Sequence, residues 1–187
     1  MVRRPISPAL GLVDVLYATP WVAGTLLLHE VPGLTAFLLI PIFVASWWQD
    51  WVSARAATSY FSGQLVGFDV LTAGNYVALV DSWRRPVPSG GVVSTALLVH
   101  WTLVFVIYIA WNLVIAKTSD DATRQAFIRF SLAEAPLVAL GTTLIIIQHF
   151  ALAVPDILGP LGIIIMGTAH IGLLVFWRIM SRKGDHE

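Results

Sequence analysis

The sequence predicts an all-α integral membrane protein of six transmembrane helices with both termini cytoplasmic, and three observations carry that expectation. Of 187 residues, 57% are hydrophobic and only 12% charged, with a mean hydropathy of +0.80. Soluble domains carry roughly 25% charged residues, so this chain has too few to clothe a surface facing water. Six segments each reach the roughly 20 apolar residues that a spanning helix needs. Lysine and arginine are also divided unevenly by those segments. Arg3, Arg4, Arg55, Lys117, Arg124, Arg129, Arg178, Arg182 and Lys183 fall on one side, and only Arg84 and Arg85 on the other. Cytoplasmic loops carry such an excess, and the split survives only if the weakest segment, the third, is counted. The expected location is an inner, plasma-type bacterial membrane.

The first segment, residues 9–28, contains Asp14 in its early turns and Pro20 near its middle, and closes at His29, Glu30, Pro32 and Gly33. The second, 34–56, ends in the tryptophan-rich WWQDW and Arg55. The third, 60–83, carries Gln64, Asp69, Asn75 and Asp81, and a turn-forming RRPVPSGG comes after it. The fourth, 92–116, is apolar apart from His100 and Asn112. Residues 117–129 are the most polar stretch, where Ser119, Asp120 and Asp121 read as a helix start with acids at its positive end. Two readings fit the chain from there: a short surface helix leading into the membrane, or one long fifth helix through residue 153. Pro155 and Asp156 make a tight turn before the sixth segment, 157–180, and a charged tail, SRKGDHE. With no internal repeat or low-complexity stretch, residues 1–187 read as one domain with little mass outside the membrane.

Several function classes are expected to be absent. Cysteine does not occur, which removes disulfides, thiolate metal sites and cysteine nucleophiles. A net charge of zero offers no basic patch for nucleic acid. The basic start is followed by an apolar run long enough to span, so no cleaved leader is expected. Phosphate loops, GxSxG, HExxH and dinucleotide fingerprints are missing, so neither an enzyme nor a metal site is expected.

Ionisable residues at membrane depth are costly and mark sites by default. Asp14 and Asp50 should lie at similar depth near Arg55, forming a buried network that locks the first two helices or, in a sharper reading, handles ions. Asp69, near the middle of the third span, belongs to the same polar set, with Gly63, Gly67 and Gly74 allowing close helix approach. His100, His149 and His170 fall on three different helices, so no i, i+3 or i+4 metal signature exists. Each reads first as a hydrogen-bonded packing residue, and second as an axial ligand for haem or a chlorophyll-type pigment. Of the eight tryptophans, Trp47, Trp48, Trp51, Trp83, Trp111 and Trp177 suit the interface. Trp21 and Trp101 lie deeper and could meet a neighbouring subunit.

From Val13 to Glu30, an early aspartate, then Tyr17 and Ala18, then TLLLHE resemble the first helix of the six-helix FSD-motif family, the prokaryotic relatives of the lysosomal potassium channel. The triplet itself stands here as Leu12, Val13 and Asp14, so only its acid is kept. Low-temperature-requirement membrane proteins have a similar first helix. The resemblance implies a tetramer whose first helices line a potassium-type pathway through an apolar constriction, with Thr19, Val22 and Leu26 on the lining face. The expected function is therefore a small homo-oligomeric cation channel embedded in the bilayer. The alternative is a non-catalytic subunit of a larger respiratory or photosynthetic complex, binding haem or pigment through its histidines.

Overall fold

The computed structural model describes residues 8–27, 33–56, 63–83, 93–150 and 158–184. They form six helices: α1 (Pro8–Leu27), α2 (Gly33–Ala56), α3 (Gly63–Trp83), α4 (Thr95–Thr118), α5 (Asp121–Phe150) and α6 (Leu158–Gly184). No strand occurs among the described residues. Among the described residues three helical stretches, Thr95–Thr118, Asp121–Phe150 and Leu158–Phe176, rather than the six expected, are long and apolar enough to cross a membrane.

Local chemistry explains where these helices begin. Ser94 caps α4, its hydroxyl accepting the Leu97 N–H at 3.1 Å. Asp120 does the same for α5, accepting the Thr123 N–H at 2.9 Å and the Thr123 hydroxyl at 3.0 Å. Those bonds hold the exposed Asp120 carboxyl below its ordinary range. Of the two readings for the polar stretch, the structure has the long one, since α5 runs unbroken from Asp121 for 30 residues. At 1.5 Å per residue it extends about 45 Å, more than the roughly 30 Å of hydrocarbon, so its polar first turns have length to stand clear of it.

The helices pack as a closed ring in the order α1, α3, α4, α5, α6, α2 and back to α1. Ser119 and Asp120 join α4 to α5, and this antiparallel pair is the most extensive contact. Two glycines set the closest approaches. A Cβ on Gly141 would collide with the Thr102 hydroxyl, so its absence lets α5 press on α4. Gly167 likewise lets α6 reach Ile42 and Trp101.

Within the ring, the half away from the α4–α5 turn is an apolar core of Phe43, Leu79, Val80, Trp83, Leu97, Leu98, Trp101, Phe105, Ile163 and Met166. Trp101 is only 2% exposed, so it packs inside this protomer rather than on a neighbour, and Trp83 and Trp111 are likewise buried in the protein. Nearer the turn, a smaller patch of Leu65, Trp111 and Ile115 with Phe127 closes one sector. Polar side chains occupy the interior between these two.

Candidate functional site

His170, at mid-length on α6, is fully buried and is the centre of that polar layer. Its Nδ1 lies 2.8 Å from Glu134 Oε1 on α5, and its Nε2 lies 3.1 Å from Asp50 Oδ1 on α2. Both acids are buried as deeply as the ring, at 0% and 2% exposure. Asp50 Oδ2 accepts the hydroxyl of Tyr76 on α3. From α4, Phe105 and Tyr108 set their rings edge-on against the imidazole, each with centroids 5.2 Å away, which fixes its orientation. Tyr17 of α1, with Asp50, Thr72, Tyr108 and Trp111, lines a crevice that has room for about one water molecule. Every helix of the ring therefore contributes a side chain to this layer.

The geometry also sets a proton count. An ionised carboxylate only accepts, and an unprotonated ring nitrogen only accepts, so each contact between nitrogen and oxygen requires one hydrogen. Asp50, His170 and Glu134 thus share two protons, either as imidazolium between two carboxylates or as neutral imidazole with one carboxylic acid. Both arrangements carry a net charge of −1. The two protons can shift along these hydrogen bonds between the two arrangements without moving any heavy atom. Metal chemistry is a poorer match, because the two acids sit on opposite edges of the ring, and no cluster among the described residues converges on a metal position.

The other residues singled out in the sequence lie elsewhere. Asp14 meets Arg55 at 3.4 Å and accepts the Trp51 indole N–H at 2.9 Å, but this group is about 40% exposed, with side-chain values of 42% and 43% for the pair. Arg55 lies over the Trp51 ring, and Trp51, Trp47 and Trp21 stack in turn beside it. Asp50 does not join Asp14 and Arg55. Five residues separate it from Arg55, which turns the two side chains about 140° apart on a helix of 3.6 residues per turn. Asp69 is 7% exposed, with Trp111 beside it. Gly63, Gly67 and Gly74 face outward, where an added Cβ would meet nothing.

Of the histidines, His100 is tied to Asn75 through Nδ1 to Oδ1 at 3.0 Å and through its carbonyl to Asn75 Nδ2 at 2.8 Å. His149 is exposed beside Phe150. His170 has a carboxylate on each nitrogen, which leaves neither directed at a tetrapyrrole metal. Thr19 and Val22 lie on the outer face of α1, Val22 at 57% exposure. The side chain of Leu26, and His29, lie outside the described residues.

Sequence reasoning missed Glu134, Tyr76, Tyr108 and Ser131. Glu134 had a usable signal, since Phe130, Glu134, Leu137 and Gly141 form one buried stripe of α5 at helical spacing. An acid in register with an apolar stripe must find a buried partner. No family model, curated protein or solved structure matches this chain.

Proposed function

We propose that this protein moves protons in a membrane, as a six-span, cytoplasmic-ended bundle in which Tyr76, Asp50, His170 and Glu134 form an internal relay. The observation that carries the reading is His170, buried and bridging two buried acids through both ring nitrogens. Chains of Asp, Glu and His inside membrane segments mark proton relays in pumps and transporters. The charge rule puts the α4–α5 turn, with Lys117, Arg124 and Arg129, on the cytoplasmic side. The polar layer then lies in the cytoplasmic half, and the Trp101–Met166 core separates it from the far side. Such an arrangement suits a carrier or gated conductor whose proton site opens to one face at a time.

The test is proton uptake into proteoliposomes holding a pH-sensitive dye, driven by a potassium diffusion potential. Wild-type protein should take up protons faster than empty vesicles, and His170→Gln, with an unchanged elution profile, should fall to the empty-vesicle rate. Equal rates for wild type and empty vesicles would remove this reading. A second reading, a potassium-type pathway lined by α1 from several copies, is favoured by the outward placement of Thr19 and Val22. It requires a homo-oligomer in detergent and potassium flux that survives His170→Gln.

A further inference from the structure

The two acids on His170 are not equivalent. Both oxygens of Asp50 have donors, His170 on one and Tyr76 on the other. Glu134 uses only Oε1, while its Oε2 is buried and has no hydrogen-bond partner in the protein. Of the other buried side-chain groups without a partner among the described residues, two lie on the α4–α5 pair on the side of Glu134 nearer its turn. Ser131 Oγ lies one turn earlier on the same stripe of α5, and Asn112 Nδ2 belongs to the facing helix α4. The antiparallel register that sets Gly141 on Thr102 puts Asn112 at the level of Ser131. All three are more than nine-tenths buried, at 0%, 5% and 1% exposure for Glu134, Ser131 and Asn112. Buried polar groups without partners are costly and are ordinarily satisfied by water, and a buried site of charge −1 gains from one more proton.

We infer that Glu134, not Asp50, carries the proton that the relay exchanges, and that a water molecule held by Ser131 and Asn112 is its exchange partner. The inference rests on the relay reading above. In the step, a hydronium at that position loses one O–H bond and Glu134 Oε2 gains it. Water remains behind, and the charge of the Asp50, His170 and Glu134 set goes from −1 to zero. Release reverses the same transfer. Around Glu134 the titratable groups are His170 from α6 and, behind it, Asp50 from α2, Tyr76 and Asp69 from α3, Tyr108 from α4 and Tyr17 from α1. Arg129 on α5 itself is exposed.

Infrared difference spectra of the full chain in lipid, recorded on acidification, test this. A protonated-carboxyl C=O band should appear, vanish in Glu134→Gln and persist in Asp50→Asn. It should shift in Ser131→Ala and in Asn112→Leu, and Ser131→Thr should restore its position. If Glu134→Gln does not fold, the shift in Ser131→Ala decides alone, because Ser131 neighbours Glu134 on α5. A band that is lost in Asp50→Asn, or that ignores both Ser131→Ala and Asn112→Leu, overturns the inference. The expected band pattern without any proton uptake into vesicles would uphold it while removing the conduction reading.

Discussion

Between Trp101 and His170 the interior of the helix ring changes character. On one side Leu79, Leu97, Leu98, Trp101, Ile163 and Met166 are each no more than 2% exposed and pack apolar against apolar. On the other, equally buried positions hold Asp50, Glu134 and His170. If stability were the whole requirement, the second region would resemble the first. Replacing a buried ionic set with apolar residues of similar volume is often neutral or stabilising, whereas removing one member is strongly destabilising. On the proposed reading the polar layer is kept for proton transfer, and the apolar core serves folding and the insulation of that layer.

The largest test of this contrast is His170→Ala. It strands two buried acids and should cost about 3–5 kcal/mol, read as a lower unfolding midpoint in detergent. Replacing the set together, as Asp50→Leu, His170→Phe and Glu134→Leu, should bring the midpoint back to wild type or above while abolishing proton uptake. Loss of stability in the triple variant as large as in His170→Ala would mean that the layer serves the fold itself.

The apolar region should instead be sensitive to added volume. Gly167→Ala forces Ile42 and Trp101 to shift and should cost roughly 1–3 kcal/mol, measured by the same unfolding midpoint. A change smaller than about 0.5 kcal/mol, the ordinary scatter of unconstrained sites, would show that the core is looser than its contacts. The half-exposed Asp14–Arg55 pair lies outside both regions, and Asp14→Asn should move stability by less than about 1 kcal/mol. A larger loss in thermal shift would make that group part of the structural core.

The smallest effect is confined to the start of α5. Asp120 is held below its ordinary range by Thr123, so its folded-state value lies under its unfolded one. Its contribution is complete above the unfolded value, roughly 3.9, and is lost as pH falls through the folded one. Amide exchange in the first turn of α5 should therefore rise only below the usual aspartate range. Asp120→Ala should make that turn exchange quickly at every pH.

Much of the fold is legible in the sequence because helix length and turn chemistry are local properties. The break at Ser119–Asp121 is written in residues that cap or turn, and α4 ends and α5 begins there. The site is legible only in its members. Asp50 and His170 both stand out as ionisable residues in apolar segments, but 120 positions separate them, and pairing at that distance is set by how six helices close into a ring. Nearness in sequence points Asp50 at Arg55, although the turn of the helix sends the two apart. Glu134 is inconspicuous because SLAEAPL looks like a mild polar start to an apolar run rather than a stripe with an acid at its centre.

The central claim is that the buried layer conducts protons and the rest of the bundle excludes other ions. The reversal potential across a planar bilayer, measured with equal potassium on both sides and a one-unit pH difference, tests it most directly. The reversal potential should move toward the proton equilibrium value, about 59 mV per unit for a single charge, and that response should disappear with His170→Gln. A reversal potential that stays at zero under the pH gradient and follows potassium instead would contradict the claim.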